Sequence, residues 1–213
     1  VPLPPQSLLA DLADGWAEVR SRTWYWSSLI AHACWNFAAG VFATLGPLLV
    51  VRHLGGEASW IALLQAGAVG LVVGSLIAGR YRPRRPILVA NAGGALYAIP
   101  LTLLALTAPA PAVIAGYGVG MVALGFLNPV WDSAVQQRVP QQALARVMSY
   151  DWLISIAAMP LGYLAGPVLA DLTTPAVPLL GAAALVAAAT LGTALVPDVR
   201  RQTNAPAREL VPA

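Results

Sequence analysis

The stretch GRYRPRRP, Gly79–Pro86, places four arginines in eight residues: Arg80, Arg82, Arg84 and Arg85. On each side the chain stays apolar for about twenty residues, the length of helix that crosses a hydrocarbon core of about 30 Å. The chain has twelve basic side chains, all arginine, so a third of its positive charge lies in one short gap between two candidate membrane spans.

Working outward from this gap, the same reading finds four more apolar segments. In chain order the six are Trp24–Val51, Trp60–Ala78, Ile87–Leu106, Ala112–Val130, Trp152–Ala170 and Ala176–Val196. The 213 residues are 58% hydrophobic and 10% charged, with a mean hydropathy of +0.70. That composition excludes a soluble globular domain. A membrane β-barrel would need alternating segments of about ten residues, and the sequence has none. Glycine and proline are frequent inside the segments, which membrane helices tolerate because neighbouring helices satisfy the freed backbone groups. The expected fold class is an all-α membrane protein with six transmembrane helices.

The arginines give the orientation. With six spans, Arg20 and Arg22, the 79–86 loop, Arg138 and Arg146, and Arg200, Arg201 and Arg208 all fall on one side, and only Arg52 falls on the other. Positive loops stay in the cytoplasm, so both termini are expected there, in a multi-pass protein of the plasma membrane. Trp24, Trp26, Trp131 and Trp152 near one set of span ends and Trp60 near the other are expected to form interfacial belts.

Outside the spans, LLADLADGWAEVR (Leu8–Arg20) sets Leu8, Leu9, Leu12, Trp16 and Val19 on one helical face. Residues 1–23 are therefore expected to form an amphipathic cytoplasmic linker helix, residues 24–197 the membrane domain, and residues 198–213 a disordered cytoplasmic tail. Val1–Thr23 lacks an apolar core and carries acids, so it does not read as a signal peptide. The first residue is Val and not Met, which leaves open a fragment, a processed product or an alternative start.

No motif of catalysis, metal ligation or phosphate binding occurs, and one cysteine, Cys34, allows no internal disulfide. A rhomboid-type protease also has six spans, but it needs a histidine late in the chain, and none follows His53. An enzyme, a cofactor site and a nucleic-acid partner are not expected. The informative residues are the polar ones at membrane depth: His32 and Asn36 one turn apart, Gln65, Asn91 in the third span, and Asn128 with Asp132 at the inner end of the fourth span. Such groups are costly in lipid and face a bundle interior or a cavity. Asparagine and glutamine also serve as glue between helices, so both readings stay open for each. Gly70/Gly74, Gly116/Gly120 and Gly162/Gly166 have the four-residue spacing of close helix packing.

Four stretches carry a family resemblance. GSLIAGRYRPRRP (Gly74–Pro86) resembles the second-half copy of the basic loop that follows the second helix of major facilitator superfamily transporters. LNPVWDSAVQQRVPQQALARVMSYDW (Leu127–Trp152) resembles the cytoplasmic connection between that family's tenth and eleventh helices. GYLAGP (Gly162–Pro167) is similar to the core of its antiporter motif, and LADLADGWAEVRSRTW (Leu9–Trp24) to the linker entering its seventh helix. In the basic loop Gly79 stands where an Asp is usual, and Arg82–Pro83 interrupts the usual Gly.

The chain thus looks like the C-terminal six-helix half of such a transporter, of the bacterial multidrug or siderophore exporter type. The resemblance implies export of a small molecule, with protons as a candidate coupling ion, the lipid bilayer as surroundings, and an N-terminal six-helix half as partner if the chain is a fragment. The alternative is a truncated half without transport of its own, acting as a binding or accessory subunit. The first and fourth spans would line the central cavity, which makes His32, Asn36, Gln65 and Asn128 the substrate-contact candidates. Arg80, Arg84, Arg85, Asp132, Arg138 and Asp151 would form a cytoplasmic charge network that gates it. Gly162, Gly166 and Pro167 would pack and bend the fifth span.

Overall fold

The structure is a computed structural model that describes residues 15–204. Among these residues no strand occurs, and six helices are long and apolar enough to cross a membrane. They are α1 Thr23–His53, α2 Gly56–Arg80, α3 Pro86–Ala105, α4 Ala110–Arg138, α5 Gln141–Leu172 and α6 Ala176–Leu195. A 3₁₀ turn at Ala95–Tyr97 interrupts α3, another at Thr193–Leu195 ends α6, and a short helix, α7 Pro197–Arg201, follows. The all-α, six-helix membrane fold expected from hydropathy is the observed one. Residues 15–20 are helical as well; Leu8, Leu9 and Leu12 of the expected amphipathic face, and Arg208, lie outside the described residues.

Local chemistry sets the helix ends. α1 turns into α2 within two residues, because Gly55 (φ 101°) and Gly56 (φ 79°) adopt left-handed backbone that a side chain disfavours. Pro86 sits in the first turn of α3, where its missing N–H costs no helical bond. Pro140 holds Val139 extended (φ −104°, ψ 130°) and so separates α4 from α5.

Both helices reach further than hydropathy indicates. α4 continues past Val130 to Arg138, and α5 begins at Gln141, well before Trp152. The connection is helical because Trp131, Ala134, Val135, Val139, Ala143 and Val147 are buried together, against Val19, Trp24, Tyr25 and Leu29. This one-sided pattern is diluted by outward residues such as Gln136, Gln137, Gln141 and Gln142, and an average over composition misses it.

Between helices in lipid, packing replaces the hydrophobic effect, and small residues allow backbones to approach. α1 packs on α5 where Gly40 meets Gly162, and α2 packs on α4 where Gly70 and Gly74 meet the Gly118–Gly125 turns. Gly116 and Gly120 seat α4 against Leu103 and Tyr97 of α3. α6 closes the back of the bundle against α1 and α3. The two tight pairs, α1 with α5 and α2 with α4, stand on either side of a central space.

One end of the bundle gathers the N-terminal helical stretch, the 81–85 loop, the α4–α5 junction and α7. Trp16 lies 5.9 Å from Tyr150. The Trp24 backbone N–H donates to Asp198 Oδ2 at 2.9 Å. Asn204 donates from Nδ2 to the Pro83 carbonyl at 3.1 Å and from its backbone N–H to the Arg84 carbonyl at 3.0 Å. Residues 198–204, expected as disordered tail, are therefore folded onto this end of the bundle, with Asn204 on the arginine-rich loop. A second correction concerns the tryptophans: Trp24 and Trp131 are buried inside this end, Trp60 and Trp152 line the central space, and Trp26 is exposed on the surface.

Candidate functional site

The central space is a cavity of about 620 Å³. α1 lines it with His32, Trp35, Asn36 and Phe42, and α2 with Trp60 and Leu64. α4 contributes Tyr117, Asn128, Trp131 and Asp132, and α5 contributes Asp151, Trp152, Ser155 and Tyr163. Tyr97 is the contribution of α3, and α6 supplies no wall. Its volume falls in the range of small-molecule sites, roughly 300–1,000 Å³.

The polar side chains behind the α1 wall form one directed chain. Ser28 Oγ donates to the Trp24 carbonyl at 2.8 Å. Having spent its hydrogen, Ser28 Oγ accepts from Asn91 Nδ2 at 2.8 Å. That orients Asn91 Oδ1 toward His32 Nε2, 3.3 Å away, so Nε2 must carry the proton and donate. Nδ1 is then the lone-pair nitrogen of His32. Each such bond between membrane helices contributes about 0.6 kcal/mol, up to about 1.7 kcal/mol. Among the described residues no buried side-chain polar atom lacks a partner.

On the facing wall, Trp131 Nε1–H donates to Asp151 Oδ2 at 2.5 Å, and Ser155 Oγ donates to Asp151 Oδ1 at 3.1 Å. The Trp131 ring meets His32 edge-on at 4.7 Å and stacks on Tyr25 at 5.3 Å. Tyr25 in turn donates its hydroxyl to the Val147 carbonyl at 3.1 Å. The carboxylate is thus fixed by neutral donors, and the indole that holds it also touches the histidine. A second aromatic group lies further along the cavity: Trp35 against Tyr97 at 4.6 Å, and Phe42 stacked on Tyr117 at 5.0 Å.

Of the substrate-contact candidates, His32, Asn36 and Asn128 line this cavity. Asn36 spends an Nδ2 hydrogen on the His32 backbone carbonyl one turn back, at 3.0 Å. Gln65 does not line it and is exposed. Gly67, Gly70 and Gly74 fix the rotation of α2 by facing α4, and Gln65, about 100° beyond the cavity-lining Leu64, then points outward.

The gate residues divide. Asp132 and Asp151 both line the cavity. Asp151 is buried and bonded to Trp131 and Ser155, not to arginine. Arg80, Arg84 and Arg85 are exposed, and no ion pair links them to either carboxylate among the described residues. The loop follows the C-terminal end of α2 and is held to Asn204, while Asp151 is buried against Trp131 and Ser155. Arg138 donates from Nε to Gln202 Oε1 at 3.0 Å and from Nη2 to the Thr203 carbonyl at 3.2 Å, so it anchors the segment after α7. Gly162 and Gly166 both face α1, and α5 is helical through Pro160 and Pro167.

Sequence reasoning passed over Trp35, Phe42, Tyr97, Tyr117 and Trp131 as site residues. A usable signal existed. Trp35 and Tyr97 sit in the middle of their spans, away from the interfaces where such rings otherwise collect.

The family model described as Major Facilitator Superfamily matches residues 2–154, from the N-terminal stretch to the start of the cavity-lining part of α5. No curated protein matches the chain. No solved structure matches it either.

Proposed function

The chain belongs to the major facilitator superfamily, a family of membrane transporters of small molecules, and from that premise we propose that its six helices form the cavity-bearing half of a bacterial exporter. The observation that carries this reading is the set of polar side chains around the cavity, His32, Asn36, Asn128, Asp132 and Asp151, in the middle of a bundle of membrane-crossing helices. Polar groups at that depth are retained where they meet a substrate, an ion or one another. The compound moves outward across the plasma membrane. Protons move inward in exchange, and His32 takes part in proton transfer through its lone-pair Nδ1.

The partner is a second six-helix half that closes the cavity. α2 and α5 flank it, and only 22% and 17% of their apolar windows are buried, against 39% or more in the other four helices. Rocking of the two halves about a central site is the alternating-access motion that repeats of this kind perform.

The test is an accumulation assay in bacterial cells with the chain expressed alone and together with a candidate N-terminal half, against a panel of cationic, anionic and neutral compounds. Lower accumulation of at least one compound, reversed by a protonophore and lost in His32→Gln, is the expected result. Unchanged accumulation across the panel in both settings overturns the proposal; uptake in place of loss overturns export.

A further inference from the structure

We infer that the ligand of the cavity is a lipophilic organic cation, a positive charge spread over or shielded by an aromatic or aliphatic body. This rests on the transport reading above and names the substrate class for the same cavity. Three independent features of the wall converge on it.

The first is charge. Asp132 and Asp151 line the cavity, and no arginine does. Arg138, the nearest in sequence to Asp132, spends its guanidinium on Gln202, Thr203 and the Ala134 carbonyl. His32, the one basic group on the wall, directs its Nε2 proton at Asn91. The second is the state of the carboxylates. Asp132 makes no hydrogen bond or ion pair with any described residue. Asp151 accepts from an indole and a hydroxyl, neutral donors, and has no cationic side chain among its partners. An apolar or anionic ligand filling this space would cover two carboxyl groups and offer neither a charge partner, whereas a cation supplies one to both.

The third is the aromatic wall. Trp35, Phe42, Trp60, Tyr97 and Tyr117 line the cavity beyond the carboxylates. Their faces attract a cation and their area suits an apolar body, which a small hydrated metal ion does not offer. A ligand with its charge at Asp132 and Asp151 and its rings among these five side chains satisfies both ends of the cavity.

The test uses the full chain purified in detergent and equilibrium binding of tritiated tetraphenylphosphonium. Tetraphenylborate, of the same shape and opposite charge, and neutral triphenylphosphine oxide serve as competitors. Expected is saturable binding that neither competitor displaces, weakened by at least about tenfold in Asp151→Asn and in Asp132→Asn. Asparagine at 151 still accepts from Trp131, so the fold is retained; Asp132, exposed and unbonded, decides the matter should the first variant not purify. Unaltered affinity in the asparagine variants, or displacement by tetraphenylborate or the phosphine oxide at equal concentration, overturns the cation class. Absence of tetraphenylphosphonium binding overturns it too. The cell assay separates the two readings. Altered accumulation of anionic or neutral compounds alone removes the cation and keeps the transporter, while no response to any compound removes both.

Discussion

Gly40 and Gly162 face each other across α1 and α5, with no room at either for a methyl. A β-carbon on Gly162 would run into the Phe37 carbonyl oxygen, and one on Gly40 into the Met159 carbonyl oxygen. Backbone cannot swing aside as a side chain can, so the helices themselves must separate. Gly40→Ala and Gly162→Ala are each expected to destabilise the protein by about 1–3 kcal/mol. Gly166→Ala is milder, because its nearest neighbour is the Thr44 hydroxyl at 3.0 Å, and Gly181→Ala, with nothing within 4 Å, is neutral or slightly stabilising. Thermal unfolding in detergent checks the order, and a wild-type midpoint for Gly162→Ala would refute it. The sequence showed Gly162 and Gly166 through their spacing but not Gly40, which has no glycine four residues away. The same limit governs the site. The cost of polar groups in lipid singled out His32, Asn36 and Asn128, but depth alone carries no azimuth, and Gln65 was assigned to the cavity from depth. Asp151 was placed outside because the apolar run starts at Trp152, although the helix that buries it starts at Gln141.

At the scale of elements, α7 performs a task that α1 leaves undone. Arg22 at the start of α1 offers no side-chain cap, and Asp198 of α7 supplies one from the far end of the chain by accepting from the Trp24 N–H. A carboxylate at a helix N-terminus satisfies an orphan donor and meets the positive end of the helix dipole. Asp198→Ala is expected to cost about 1–2 kcal/mol of stability, and Asp198→Asn less, because the amide oxygen still accepts. Unfolding midpoints that are equal in the wild type and Asp198→Ala would show that the contact carries no stability. The next link binds the loop: Asn204 holds the carbonyls of Pro83 and Arg84. Six spans could be counted from composition because each is apolar throughout. The extensions of α4 and α5 and the strap formed by α7 and residues 202–204 could not. Their order comes from one-sided burial and from hydrogen bonds between residues 64 to 174 positions apart.

For the molecule as a whole, the arginines decide which way the bundle sits. The 81–85 loop and residues 198–204 are tied together at one end, beside the α4–α5 junction, while Arg52 in the last turn of α1 and Glu57 in the first turn of α2 stand at the other end. Insertion retains positive loops in the cytoplasm and reads arginine and lysine alike, counting charge and not geometry. Arg80, Arg82, Arg84 and Arg85 are exposed and none forms an ion pair among the described residues, so the geometry of the guanidinium has no partner to serve here. Replacing all four by lysine is therefore expected to leave orientation and transport unchanged, whereas replacing all four by glutamine should yield a mixed or inverted population. Impermeant maleimide labelling of single cysteines in a Cys34→Ala background reads this directly. In intact cells Glu57→Cys should label and Arg82→Cys should label only after permeabilisation, since both positions are exposed and they lie at opposite ends. The reverse pattern would invert the molecule and, with it, the proposed direction of transport. Lost transport in the four-lysine variant with labelling intact would instead show that a guanidinium of this loop finds a bidentate partner in another state of the cycle, for which Asp132, exposed and unbonded, is the candidate.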